Sequence, residues 1–447
     1  MTQSRRSFLK KAALTTAGSF GMPYILPSGR LFSQTTSRIA NHVVLVLFAG
    51  GVRHQDAMGQ QYLDGSQNES IPGNILYNLL DGAAPNDKIV YGTNGSRPGE
   101  LPIPAILNTP LSLQGTTFRE MNATQVGHFG GLNVAVQGNT LLSQGLRQRP
   151  INPTIFEYLR RHAGLPATDV WFVGNGINNS VPLLNHSSHE DYGVKYAANF
   201  LAPSVTFSDL GFKHLANAKV YHPEYELDPM YKMKLFLDHN WERVAETITG
   251  IGNTPEEKHN IKEFIDDLLI KTQNNTVAMP PVSDIGDLVT IGYTCEVMSR
   301  FTPALTVVNL SNVDSCHSDF TAYLRALHRI DHGVGFLWDY IQNQIPAMAN
   351  DTIMLVQPEC GRNLNPNPIL DENDWYGYDH NDANSQRIFG MMVGKNVPAN
   401  LSLGSDGNPI GESADACLTV ADILGIKDVV ANQGLVAGNS RSLFDRI

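Results

Sequence analysis

The chain has 447 residues, of which 42% are hydrophobic and 17% charged, a globular composition long enough for a large core. Its formal net charge is −11; residues 1–34 hold five basic residues and no acidic ones, so the remainder stands near −16. That acidity argues against nucleic acid as a partner and against a polybasic membrane contact, since both need Lys/Arg patches.

The first feature along the chain is Ser4-Arg5-Arg6-Ser7-Phe8-Leu9-Lys10. It reads as a twin-arginine signal over 1–34, which makes the twin-arginine translocase the expected partner and the periplasm or cell surface the expected destination. The apolar stretch over 12–26 is broken by Gly18, Gly21 and Pro23, too short and too interrupted for an ordinary spanning helix. A basic amphipathic start to a cytosolic helix is the alternative. No clear small-x-small cleavage site follows, so both cleavage and retention as an anchor stay open.

Residues 35–447 read as one α/β domain. The run NHVVLVLF over 41–48, ending in Ala49-Gly50-Gly51, predicts a strand buried on both faces and then a tight turn. Shorter runs over 170–173, 304–310, 352–357 and 388–393 predict further strands. Helical periods cover 153–162, 235–249, 256–272 and 417–424, and the longest covers 318–345 with an apolar stripe from Tyr323 to Ile341. Strands alternating with helices predict a doubly wound, mostly parallel sheet with helices on both faces. The Gly-, Pro- and Asn-rich stretch 63–116 and the polar stretch 174–228 predict rim insertions, with a possible cap over 174–300.

Ligands of parallel sheets bind beyond the carboxyl ends of the strands, so the residues after each run are the candidates. After 304–310 come Asp314 and His317, suited to share a divalent metal, or to cap the following helix together with Ser318. After 352–357 comes Pro358-Glu359-Cys360-Gly361-Arg362. Glu359 could ligate a metal or act as a general base, and Arg362 could clamp an oxyanion; a Glu–Arg ion pair bracing a turn is the alternative. Asp379 and His380 precede the next run, and there the aspartate could instead orient the histidine. After the first run, His54 and Asp56 follow Arg53 and could line the same pocket, as could His128 in Gly127-His128-Phe129-Gly130-Gly131, just after Thr124. For each of these histidines the competing reading is a surface residue on a tight turn. A second His/acid cluster, His186 to Asp191, reads better as a solvated loop. No P-loop and no G-x-S-x-G elbow occurs. The four cysteines include no C-x-x-C pair and make no disulfide scaffold.

Taken together, these segments resemble the alkaline phosphatase superfamily, closest to its twin-arginine-exported, sulfatase-like branch of unassigned function. Gly50, Gly51 and Asp56 match its glycine loop, Asp314 and His317 its Asp/His loop. Pro358-Glu359-Cys360-Gly361-Arg362 matches its Ser-Glu-Phe-Gly-Arg signature at a strand end, and Gly377-Tyr378-Asp379-His380 its Gly-x-Asp-His segment. The resemblance spans about residues 40 to 440. It implies a metal-dependent hydrolase of small or polymeric phosphate or sulfate esters. Asp314, His317 and His380 would bind one divalent metal, zinc by the family's habit, with calcium or manganese as alternatives. Glu359 would serve a second metal or act as base, Arg362 would meet the substrate anion, and Thr124 is the candidate nucleophile. In this chain Phe48-Ala49-Gly50 stands where active members carry a metal-binding aspartate, and Cys360 where they carry a histidine. A non-catalytic member that binds a polymer or an exported protein is therefore the rival reading. Cys316 and Cys360 lie in loops expected to converge, so a disulfide, a metal-bound thiolate and two unrelated thiols are all open.

Overall fold

A computed structural model describes residues 37–62, 71–85, 102–141, 149–174, 180–202 and 253–447. The signal segment 1–34 and the helix expected over 235–249 lie outside the described residues.

In chain order the elements are β1 (His42–Phe48), β2 (Gln61–Tyr62), β3 (Ile71–Pro72), α1 (Leu111–Gln114), β4 (Thr116–Asn122), α2 (His128–Gln137), α3 (Ile155–His162), β5 (Val170–Val173), α4 (Ser180–Leu184), β6 (Asn199–Leu201), α5 (Pro255–Gln273), α6 (Gly286–Phe301), β7 (Leu305–Leu310), α7 (Phe320–Gln344), β8 (Thr352–Pro358), β9 (Arg387–Gly394), β10 (Leu401–Leu403), α8 (Asp415–Ile423) and α9 (Lys427–Asn432). The eight-stranded sheet has the order β10-β4-β9-β8-β1-β7-β5-β6. Every neighbouring pair is parallel except those made by β9, which runs against both β8 and β4.

β1 is the central strand, and its alternation builds both layers. Val43, Leu45 and Leu47 face one apolar cluster with α2, α3 and α8; Val44, Val46 and Phe48 face another with α6 and α7. A strand with apolar side chains on both faces must be covered on both, so the fold is doubly wound. Residues 253–300, part of the possible cap, lie in and between α5 and α6, and both helices pack on this scaffold. Phe264 of α5 and Tyr293 and Val297 of α6 close over Trp171 of β5. α5 starts at a capping box in which Thr254 and Glu257 satisfy each other's amides. α7 starts at Asp319, whose carboxylate accepts the Ala322 amide at 2.7 Å. The helix cap is therefore Asp319, and Asp314 is left for another purpose.

The loop from His186 to Asp191 is only partly solvated, against expectation. His186 and Ser187 are buried. Glu157 of α3, itself wholly buried, accepts hydrogen bonds from the Ser187 amide, the Ser187 hydroxyl and the Gly193 amide at 2.7–3.0 Å. A buried carboxylate needs such donors, and they draw this loop inward.

Candidate metal centre

The register decides what meets. Phe48 at the end of β1 is level with Leu310 of β7 on one side and Pro358 of β8 on the other. The residues just beyond, Gly50, Asp314 and Glu359, are thus brought to one spot. β4 runs parallel to β8, so its carboxyl end is at the same rim, and the short link after it delivers the start of α2. β9 is antiparallel, so the residues preceding it arrive there as well.

Two glycines allow the approach. Gly50 has φ +132°, and a Cβ on it would lie 2.5 Å from the Asp314 nitrogen. A Cβ on Gly131, in the first turn of α2, would lie 2.5 Å from the Glu359 carbonyl oxygen. Only glycine lets α2 press its amino end onto β8.

That contact carries His128 to the middle of the site. Its Nδ1 is 2.7 Å from Glu359 Oε1, and its Nε2 is 2.8 Å from Asp314 Oδ1 and 3.4 Å from His317 Nε2. The His380 ring lies 4.2 Å, centroid to centroid, from that of His128 and 4.9 Å from that of His317. His128, His317 and His380 can offer ligand atoms all within 4.8 Å of one another. His317 Nδ1 is held at 2.7 Å by Asp379 Oδ1, which fixes the ring and turns Nε2 inward. Glu359 is wholly buried; its Oε1 accepts the Gly50 and Gly51 amides at 2.5 and 3.1 Å, while Oε2 is buried with no hydrogen-bond partner. Cys360 Sγ lies 3.8 Å from His128 Nδ1 and 3.9 Å from Glu359 Oε1.

The charges are strongly coupled. Burial opposes a charge on His128, but hydrogen bonds to Asp314, Cys360 and Glu359 outweigh it and raise its pKa to about 11. Burial likewise opposes ionisation of Asp314, yet His128, Arg362 and His317 hold its pKa down to about 2. His380 is pushed down to about 4, first by burial and then by the charges of His128, Arg362 and His317.

Of the residues expected at the site, Asp314, His317, His380, Asp379, Glu359, Cys360 and His128 converge. Arg362 converges too, but in a different part. It is fully buried, donates to the carbonyls of Gly50 and Tyr378, and pairs with Asp314 Oδ1 at 3.0 Å. Its guanidinium therefore positions Asp314 and is not open to a substrate anion. Asp56 is wholly buried and pairs with Arg53 at 3.1 Å. His54 turns away altogether, with Nε2 3.0 Å from the Arg119 carbonyl, into a group with Glu120 and Asp406 where Arg387 already supplies a cation. The Thr124 hydroxyl is buried without a hydrogen-bond partner. All four cysteines are free thiols, so Cys316 and Cys360 form no disulfide. His128 was expected only to line the pocket. The Gly-His-x-Gly-Gly pattern around it was the available signal, since those glycines mark a backbone approaching something closely.

The chain is similar to solved structures of the alkaline phosphatase superfamily. One is a superfamily protein from Vibrio parahaemolyticus (TM-score 0.38, 13% identity, 95% of this chain and 76% of that one). Another is the alkaline phosphatase of the Antarctic bacterium TAB5 (0.38, 9%, 86% and 98%). A third is the PsFucS1 sulfatase from Pseudoalteromonas sp. (0.38, 12%, 90% and 73%). No protein-family model matches the sequence, and no curated protein matches it.

Proposed function

We propose that the chain is a metal-dependent hydrolase of phosphate or sulfate esters that acts outside the cytoplasm. The observation that supports this reading is the meeting of three imidazoles and two carboxylates from four separate segments at the carboxyl ends of β1, β7 and β8. Structural ion pairs give no reason for three histidines within ligand distance of each other, whereas three imidazoles can ligate one divalent cation. The unpartnered buried oxygen of Glu359 fits the same purpose. A donor set rich in imidazole suits zinc better than calcium, which takes oxygen ligands.

His128, His317, His380 and Asp314 would hold the metal. When bound, it supplies positive charge against an ester oxygen and lowers the pKa of a coordinated water. The chain's own residues set the geometry. Asp379 holds His317 in one orientation, Arg362 fixes Asp314, and the amides of Gly50 and Gly51 fix Glu359. The exposure runs from nothing at Glu359 to 36% at His317 and 40% at Asp379, so the centre is open on the His317 and Asp379 side. A small or polymeric anionic ester would enter there. The twin-arginine signal supports delivery by the translocase, which accepts folded, metal-loaded cargo.

The test is a panel of phosphomonoesters, phosphodiesters and sulfate esters, given to metal-replete protein. One class should be hydrolysed, and Asp314→Ala should lower its turnover by about 100-fold or more. Unchanged turnover in Asp314→Ala would refute the assignment. One observation favours a second reading, a binding protein on the same fold: β1 ends in Phe48-Ala49-Gly50, with no carboxylate where it meets the Asp314 and Glu359 loops. Metal uptake with no hydrolysis of any ester would establish that reading instead.

A further inference from the structure

We propose that the substrate is an ester of an uncharged, apolar alcohol, selected by the stretch of chain that rims the open side of the metal centre. The inference rests on the hydrolase reading and narrows it: of the small and polymeric esters that could enter, it excludes the polyanions.

The rim is residues 363–386, between Arg362 and Arg387, and its composition is one-sided. It holds Asp371, Glu372, Asp374, Asp379 and Asp382 but no lysine or arginine. It is also apolar where it meets water. Among the described residues nine large hydrophobic side chains are exposed, and Leu364, Ile369 and Leu370, at 45–47%, are three of them. Exposed apolar residues scattered singly need no explanation, but a group within one short segment does.

The backbone ties this group to the metal ligands. The Asn363 amide donates to the Asp379 carbonyl at 2.8 Å, next to Leu364. The Asn367 side chain donates to the His317 carbonyl at 2.8 Å, and its Oδ1 accepts the Ile369 amide at 2.9 Å. Leu370 and Tyr376 form an antiparallel bridge, and the Gly377 amide donates to the Ile369 carbonyl at 2.9 Å. A Cβ on Gly377 would lie 2.5 Å from the His317 carbonyl oxygen. The returning arm of this hairpin thus lies against the segment that carries His317, on the side where His317 and Asp379 are exposed.

The selectivity follows from the chemistry of that rim. The ester's own negative charge is met deeper, at the histidine group. An alkyl chain leaving the centre on this side passes Leu364, Ile369 and Leu370, and each methylene it withdraws from water is worth up to about fourfold in affinity. A second anion on the alcohol meets five carboxylates and no cation in the same stretch, a juxtaposition that suppresses binding. A sulfated or phosphorylated polymer carries such anions along its length and is disfavoured throughout.

Three matched primary esters test this with full-length, metal-loaded protein: ethyl, hexyl and 5-carboxypentyl, each as the phosphate and as the sulfate. The hexyl kcat/KM should exceed the ethyl value by about 10-fold or more, since four methylenes are added and the rim covers them from one side. The 5-carboxypentyl ester should fall about 10-fold below hexyl, and the gap should narrow as salt screens the exposed carboxylates. The double variant Ile369→Ser/Leu370→Ser should cut the hexyl-over-ethyl ratio about fourfold or more. Ile270→Ser, an exposed apolar residue of α5, should keep that ratio. Equal values for ethyl and hexyl overturn the rim and leave the hydrolase standing, as does a carboxypentyl ester hydrolysed as well as hexyl at low salt. Hydrolysis of a polyanionic polymer ester with none of these six cleaved also overturns the substrate class alone. No hydrolysis of any ester overturns both readings. If the double variant does not fold, the wild-type ratios decide, because a missing hexyl preference is fatal by itself.

Discussion

Asp287 offers the sharpest test of how the Asp314 loop is held. It lies in the first turn of α6, almost fully buried, and its two carboxylate oxygens accept the Ser311 and Asn312 amides at 2.8 and 2.7 Å. The Asn312 side chain returns the favour by accepting the Asp287 amide at 2.9 Å. These bonds pin the loop that carries Asp314 onto a helix of the core. Each charge-assisted bond contributes about 1.5–3 kcal/mol. Removing both, with Ser311 and Asn312 partly open to water, should cost about 3–4 kcal/mol in Asp287→Ala. For a chain of this length unfolding entropy converts about 1 kcal/mol into roughly 1 °C, so the thermal midpoint should fall by about 3–4 °C. Asp287→Asn keeps one acceptor and should lose about half as much. Differential scanning calorimetry of the three proteins measures the shift, and hydrogen exchange at the Asn312–Asp314 amides measures the loop itself. A midpoint within 1 °C of wild type, with unchanged exchange, would mean the loop is held by something other than Asp287.

Gly131→Ala should be far more damaging than an ordinary Gly-to-Ala change in a helix, because its Cβ would press on the Glu359 backbone. Metal uptake should fall while the helix content read by circular dichroism holds; unchanged uptake would contradict the close packing. His186 has its pKa pushed down to about 3, first by burial and then by Arg149. A depressed histidine contributes stability that is present above its ordinary value of 6.5 and lost as pH falls from there toward 3. Melting curves of His186→Gln should therefore decline less than those of wild type between pH 7 and 4, and parallel declines would count against it. Replacing Arg5 and Arg6 together by lysine should leave the protein in the cytoplasmic fraction of its cell, and continued export would remove the twin-arginine assignment.

The strands that the sequence makes plain are those buried on both faces. β1, β7 and β8 are unbroken apolar runs, and their register does the work of assembling the site. β4 is less legible because Thr-Thr-Phe-Arg-Glu-Met-Asn places Arg119 and Glu120 inside a strand. Glu120 is nonetheless buried, since Arg387 on the neighbouring strand neutralises it at 2.8 Å, and a cross-strand partner cannot be read from one segment. α2 is hidden for another reason: it is buried on nearly every side from Gly131 to Gln137, so Gly131, Asn133 and Gln137 are interleaved with Leu132, Val134, Ala135 and Val136 and no one-sided apolar stripe marks it. The sequence therefore offers His128 only as a residue lining the pocket, with a surface turn as the alternative, whereas the helix places it between Glu359 and Asp314. The opposite error fell on His54. It follows β1 closely in sequence, but the short turn over His54–Asp56 swings it toward β4. Proximity along the chain to a strand end is a good guide only when the next few residues do not change direction.

The reversed direction of β9 has an evolutionary consequence. Because β8 leaves the sheet at the same rim where β9 enters it, everything from Glu359 to Gln386 is a single excursion that never crosses to the far side. That excursion carries Glu359, Cys360, Arg362, Asp379 and His380. It can lengthen, shorten or change its tip between Leu364 and Trp375 while both of its ends stay anchored to the same pair of hydrogen-bonded strands. Selectivity for different guests could thus be rewritten in one continuous stretch of gene, with no cost to the scaffold beneath.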